Sequence, residues 1–171
     1  MIKNIRRNMS KVINIIGVGS NVGKTILMEG LIKEIKARGF SVGTIKHDVH
    51  NFDIDKKGKD TYRHREAGSE TVIISSKNRL AVIKEIKEEA TLDKLIEIAK
   101  DKDFILIEGY KNSNLRKIEV FREDITAEII TPKEKLIAIA SNVKLSYFDI
   151  PVIKKDNFKE LVDLIEKEEE Y

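Results

Sequence analysis

The chain has 171 residues, 32 basic against 29 acidic, a net charge of +3, and neither cysteine nor tryptophan. That length suits one domain with a sizeable core, and the lack of cysteine excludes a disulfide framework or a thiolate metal site. Basic residues are spread along helix faces rather than gathered in a run, and no apolar stretch approaches the ~18 residues of a membrane span, so neither nucleic acid nor membrane is expected as a partner. The basic start, Met1–Lys11, has no long apolar stretch and no small-residue cleavage site, which leads to the expectation of a cytoplasmic protein.

Residues 1–10 read as a short arm of weak structure. Val12–Ile16 is an apolar run that predicts a strand, and Gly17-Val18-Gly19-Ser20-Asn21-Val22-Gly23-Lys24-Thr25 follows it. Strand, glycine-rich turn and Lys-Thr opening a helix is the order that a phosphate-binding loop requires. Glycines let the backbone curl with its N–H groups inward, and the helix N-terminus adds a partial positive charge. In such a loop Lys24 reaches the outer phosphates of a nucleotide and the Thr25 hydroxyl holds Mg²⁺. Five residues separate Gly17 from Gly23, one more than the usual spacing, and Gly19 stands too close. The bland alternative, a turn that merely joins strand to helix, accounts less well for the order of the parts.

The following helix carries Ile26, Leu27, Leu31, Ile32 and Ile35 on one stripe, with Glu29, Lys33, Glu34 and Lys36 opposite, and Gly39 suits its C-terminus. Ser41–Lys46 predicts a second strand, giving a βαβ unit and a parallel sheet. The stretch from His47 to Gly58 is polar, and a helix is expected from an Asp60 N-cap to Ala67. This loop leaves the same sheet edge as the glycine-rich turn, where ligands bind in such folds. Thr71–Ser75 reads as a strand and Leu80–Ile86 as another at the sheet edge. Thr91 suits the N-cap of a helix bearing Leu92, Leu95, Ile96 and Ala99.

Asp103–Gly109 is an apolar run ending in an acid, the pattern of a strand buried on both faces. If that strand neighbours the first, Glu108 reaches Mg²⁺ directly or through a water. Lys117–Phe121, Leu136–Ala140 and Pro151–Ile153 are further strands. A closing helix, Asn157–Glu166, turns Phe158, Leu161, Val162, Leu164 and Ile165 inward, and the acidic tail to Tyr171 is expected to fray. The chain is read as one α/β domain spanning residues 1–171: a mostly parallel central sheet flanked by helices, with antiparallel strands at its edge.

His47 and His50 suggest a metal pair, but with only His64 besides and no cysteine they fit better as loop residues bonded to phosphate, partner or backbone. Asp48, Asp53, Asp55 and Asp60 share that loop; one of them is a Mg²⁺ or water-positioning candidate, and capping or solvation explains most. Asn142, just past a buried strand, stands where base-recognising residues occur. The expected chemistry is phosphoryl transfer or hydrolysis by positioning and charge neutralisation. No Gln or Arg is evidently poised on water, so turnover should be slow unless Arg63, Arg65 or a partner intervenes.

The runs Gly17–Thr25, Thr44-Ile45-Lys46-His47 with His50, Asp55–Tyr62, Ala67-Gly68, Ile107-Glu108-Gly109-Tyr110-Lys111 and Lys117–Arg122, in this order, resemble the MobB family of molybdopterin-guanine dinucleotide biosynthesis proteins. The resemblance covers residues 12 to 142. It implies a dimeric GTP-binding protein of the P-loop NTPase fold with weak GTPase activity, assisting the MobA-type guanylyltransferase that joins GMP to molybdopterin and contacting other proteins of that pathway. By match, Gly19, Ser20, Asn21, Val22, Gly23, Lys24 and Thr25 take the phosphates, and Thr25 with Glu108 the Mg²⁺. The loop bearing Lys46, His47, His50 and Asp60 then lies over the nucleotide or the molybdopterin phosphate. The family commonly shows Ser-Gly-x-Gly-Lys-Thr where this chain has Ser20-Asn21-Val22-Gly23-Lys24-Thr25. Two rivals share the fold class. A dethiobiotin-synthetase-like ATP-dependent enzyme is suggested by the longer loop; a nickel metallochaperone GTPase would usually carry the Cys or His-rich tract that is missing here.

Overall fold

The computed structural model describes residues 9–48, 52–125, 128–147 and 149–171. Its residues fall into two compact units, one built from the chain up to residue 47 together with residues 95–171, the other from residues 48–94.

In the first unit the isoleucine-rich runs form a parallel sheet. β1 (Lys11–Ile16), β2 (Val42–Lys46), β5 (Phe104–Glu108), β6 (Lys117–Val120), β7 (Leu136–Ala140) and β8 (Val152–Ile153) lie in the order β2-β5-β1-β6-β7-β8. Every pairing within it is parallel. β1 is thus flanked on one side by β5 and on the other by β6, and strand order departs in both directions from it. Such a switch point opens a crevice beyond the strands' C-terminal ends.

α1 (Lys24–Ala37) and α4 (Phe158–Ile165) cover one face of the sheet. Leu27, Met28, Leu31 and Ile35 meet Leu161, Val162 and Ile165 over Ile13, Ile15, Ile118, Val120, Ala138 and Ala140. The stripe expected for α1 is corrected at one end. Ile26 is 71% exposed while Met28 is buried, because the row Leu27–Leu31–Ile35 faces the sheet and Ile26 falls off its flank. Gly39 takes φ +86° and closes the helix, with the Phe40 N–H donating to the Ile35 carbonyl at 3.2 Å and the Gly39 N–H to that of Lys36 at 3.0 Å. In α4 the Asn157 side chain accepts from the Glu160 N–H, a true N-cap.

α3 (Leu92–Ala99) begins as expected, with Thr91 Oγ1 3.5 Å from the Lys94 N–H. The tail is a correction: rather than fraying, it is tied back. The Tyr171 N–H donates to the Ser10 carbonyl at 2.9 Å, Glu168 pairs with Arg116 at 2.6 Å, and the Lys11 ammonium donates to the Glu168 carbonyl. Ser10 itself is buried and donates to the Lys102 carbonyl at 2.6 Å, so it is no loose arm; residues 1–8 lie outside the described residues.

The second unit holds α2 (Asp60–Glu66), β3 (Thr71–Ser76) and β4 (Arg79–Lys84). Asp60 is the first helical residue of α2 and not its cap; Lys59 holds the cap position without a side-chain bond. β3 and β4 are not edge strands of the main sheet. They pair antiparallel with each other, Thr71 opposite Lys84 through Ser76 opposite Arg79, as a separate two-stranded sheet. The two-residue connection Lys77-Asn78 dictates this, since a link so short joins antiparallel neighbours only.

Candidate functional site

The glycine-rich loop leaves β1 at the switch point. Gly17 is there for packing: a Cβ on it would lie 2.7 Å from Val22 Cγ2 and 2.9 Å from the Val120 carbonyl oxygen. Its absence lets the Val22 side chain sink fully into the core, so only the main chain of Val22 is left to a ligand. Gly19 (φ +76°), Asn21 (φ +61°) and Gly23 (φ +104°) are left-handed and alternate with Ser20 and Val22. Alternation of this kind turns successive N–H groups to one side, the concave form that suits an anion. Gly23 is also the N-cap of α1, whose first-turn amides have no intrahelical acceptors.

Lys24 folds across this curl, its ammonium donating to the Gly19 carbonyl at 2.7 Å. Its pKa lies below the usual lysine value, chiefly through burial, with Glu108 opposing the shift and Lys111 adding to it. Thr25 is exposed in the first turn of α1. Glu108 ends β5, paired with Ile15 of β1 on one side and Lys46 of β2 on the other, which meets the condition that its strand neighbour the first. A hydroxyl and a carboxylate are hard oxygen donors of the kind Mg²⁺ takes, so the residues present fit that ion.

Lys46 and His47 are brought to the same sheet edge. The His47 N–H donates to the Glu108 carbonyl at 2.9 Å, and its ring stacks on Tyr110 with centroids 4.4 Å apart. Gly109 (φ +100°) permits this, since a Cβ there would stand 2.8 Å from His47 Cβ. The turn that follows is held from beneath: buried Asn14 donates to the Tyr110 carbonyl at 3.0 Å and to Ser113 Oγ at 3.1 Å. The buried Lys117 ammonium donates to the carbonyls of Ser113 and Leu115 at 2.7 and 2.9 Å.

His50 lies outside the described residues, and Asp60 belongs to the second unit. In that unit Asp53 accepts from the Asp55 N–H in a local turn and Asp55 accepts from the Thr61 hydroxyl, so neither caps α2. Arg65 stands 3.5 Å from Asp53 and 3.8 Å from Glu85 in the same unit. Among the described residues no group of three His, Asp or Glu side chains could hold a metal by itself.

Asn142 lines a cleft of about 410 Å³ past the ends of β6 and β7, together with Phe121, Arg122, Asp124, Ser141 and Lys155. Ser141 Oγ accepts from the Val143 N–H at 3.1 Å, fixing the turn on which Asn142 sits. Arg122 joins the cleft to the loop, its guanidinium donating to the Asn21 carbonyl at 2.9 Å and to Asp124 at 3.0 Å. That bond holds the Asp124 carboxyl below its usual pKa. Sequence reasoning assigned no role to Arg122 or Asp124; Arg122 entered only as the end of the Lys117–Arg122 run, and Asp124 not at all.

The MobB model, described as molybdopterin guanine dinucleotide synthesis protein B, matches residues 12–142. The chain belongs to the MobB family. It is 36% identical over 149 residues to the molybdopterin-guanine dinucleotide biosynthesis adapter protein of Haemophilus influenzae, covering 86% of this chain and 83% of that one. To its Escherichia coli counterpart it is also 36% identical, over 85% of this chain and 86% of that protein. The crystal structure of Bacillus subtilis MobB superposes with a TM-score of 0.73 over 92% of this chain and 99% of that one, at 22% identity, so the fold is the MobB fold. MobB membership brings the chain into molybdopterin guanine dinucleotide synthesis.

Proposed function

We propose that this MobB protein is a GTP-binding adapter that hydrolyses GTP slowly and assists a MobA-type guanylyltransferase in joining GMP to molybdopterin. The observation that carries the reading is the Lys24 ammonium drawn 2.7 Å onto the Gly19 carbonyl, across a loop left-handed at residues 19, 21 and 23. An ammonium, a loop left-handed at alternate residues and a helix N-terminus in one turn suit a triphosphate tail. Mg²⁺, held by Thr25 and Glu108, would neutralise charge on the outer phosphates. The main chain of Gly19, Ser20, Asn21, Val22 and Gly23 positions the phosphates, and Lys24 exchanges its carbonyl partner for a phosphate oxygen. Neither Lys24, Thr25 nor an amide can take a proton from water, which favours slow turnover. Guanine presents two donors on one edge where adenine does not, and the cleft offers the Asp124 carboxylate and the Asn142 amide to meet them. Lys46 and His47, at the rim, suit a second phosphate such as that of molybdopterin.

Titration calorimetry with GTP and with ATP in Mg²⁺ tests the reading against an ATP-dependent ligase of the same class. GTP should bind more tightly. Lys24→Ala should weaken GTP by at least ~100-fold, the loss of a charge-assisted contact made in a partly buried site, with the far-ultraviolet circular dichroism unchanged. A clear ATP preference, or a Lys24→Ala protein that binds as before, overturns the assignment. Nickel or zinc bound stoichiometrically at micromolar concentration would support the metallochaperone rival instead.

A homodimer is part of the proposal. Ile73, Leu80 and Val82 share one face of the β3–β4 hairpin and are 63%, 65% and 57% exposed, an apolar stripe suited to a second copy of the same hairpin.

A further inference from the structure

The glycine-rich loop has a feature that its own residues do not explain. Asn21 holds φ +61° at the crest, a left-handed conformation that glycine adopts freely and other residues adopt at a cost. Asn is among the few that tolerate it. Tolerance is not preference, and the loop is one residue longer than the usual spacing from its first glycine. Something outside the loop has to hold the crest.

We infer that Arg122 is a positioning residue that clamps the crest of the glycine-rich loop through the Asn21 carbonyl, with Asp124 orienting its guanidinium. The inference rests on the loop being the nucleotide site proposed above. The chain just past β6 lies flush against the loop at both ends: the Val120 carbonyl is 2.9 Å from where a Gly17 Cβ would stand, and Ile125 Cγ2 is 3.9 Å from that of Gly19. Between these contacts Arg122 reaches over. Its Nη1 donates to the Asn21 carbonyl at 2.9 Å, its Nε to Asp124 Oδ1 at 3.0 Å, and its Nη2 to Asp124 Oδ2. The Ile125 N–H donates back to the Arg122 carbonyl at 3.0 Å, closing the turn that presents the guanidinium. A planar fork can satisfy a carboxylate along one edge and still keep a donor for a third oxygen; an ammonium cannot hold that geometry. Fixing the Asn21 carbonyl outward keeps the following amides turned into the concavity.

Two readouts test the clamp, one of which needs no nucleotide. In the protein alone, Arg122→Gln should speed hydrogen exchange of the amides from Ser20 to Thr25 by roughly tenfold, the size expected of one charge-assisted hydrogen bond, without lowering the thermal midpoint appreciably. GTP affinity should fall by a similar factor. In the protein alone, Asp124→Asn should speed exchange by a smaller factor, and Arg122→Lys should not restore the wild type. The deciding measurement is the double variant. Glycine at position 21 adopts the left-handed conformation unaided, so in an Asn21→Gly background Arg122→Gln should change exchange and affinity far less. An equal loss in both backgrounds, or loop exchange unchanged in Arg122→Gln, overturns the clamp. Were the wild type to bind no GTP, the nucleotide reading would fall while the exchange measurements still decided this inference.

Discussion

Lys117 and Glu119 are charged residues two apart on β6, and both are buried, about 1% exposed. In the sequence, Lys-Ile-Glu-Val reads as a strand with one wet face, because a period of two is all that the pattern discloses. Which face is wet depends on loops that arrive from elsewhere. The Glu119 carboxylate accepts the Ile130 and Thr131 N–H groups at 3.0 and 2.9 Å, and Lys117 holds the turn at Ser113. The loop glycines and Lys24 were legible by contrast, since their spacing is a local property. Burial, with Lys135 adding to it, pulls the Lys117 pKa down to about 8 from 10.5. Between those two values the unfolded chain binds the extra proton, so stability rises with pH across that window and the penalty is fully present below it. In denaturant melts from pH 7.5 to 10.5 the wild type should gain roughly 1–3 kcal/mol relative to Lys117→Met. Parallel pH profiles would mean that the surrounding carbonyls hold the ammonium at its ordinary pKa.

At the scale of elements, the runs that bury both faces announced themselves: β1, β5 and β7 lie within a residue of where their apolar patterns end. Partners were harder to read than strands. Thr71–Ser75 and Leu80–Ile86 carry strand patterns, yet only the short link between them, two residues between β3 and β4, tells that they pair with each other. Gly30 was unreadable for another reason. A glycine inside a helix looks like a weakness worth ~1 kcal/mol against alanine. Here a Cβ at position 30 would stand 2.1 Å from the Phe158 ring, so α1 and α4 approach through the gap that Gly30 leaves. The two effects have opposite signs. The ring packs against the core shared by both helices, so moving it costs more than the helix propensity returns. Gly30→Ala should therefore destabilise the protein by about 1–2 kcal/mol, and in Gly30→Ala/Phe158→Leu most of that loss should be recovered. Thermal or denaturant melts would show it; a more stable Gly30→Ala protein would mean the ring swings aside freely.

At the scale of the molecule, the family and a mostly parallel sheet could be anticipated from the sequence, whereas the strand order that sets β5 and β6 on either side of β1 could not. A dimer was implied by the resemblance alone; its surface could not be read, since an exposed apolar stripe exists only once two strands have paired. Val72 is buried and Ile83 half-buried on one face of the hairpin, which also carries exposed Ile74, while Ile73, Leu80 and Val82 line the other. A two-stranded sheet is marginal alone, and both of its strands are edges with unpaired backbone groups. A second hairpin laid face to face on it would cover the stripe, and identical surfaces meeting about a two-fold axis close without leaving a free apolar face. Sedimentation velocity should accordingly give the mass of a dimer at micromolar concentration. Val82→Glu places a carboxylate in the middle of the stripe, where each copy would bury it against the other, and should weaken association by at least ~100-fold without altering the circular dichroism. Because Val82 is exposed on the face opposite buried Val72, that variant should leave the packing of its own unit intact, and a folded monomer is the expected result. A Val82→Glu protein that stays dimeric would move the interface off the hairpin, and a monomeric wild type would remove the dimer from the proposal.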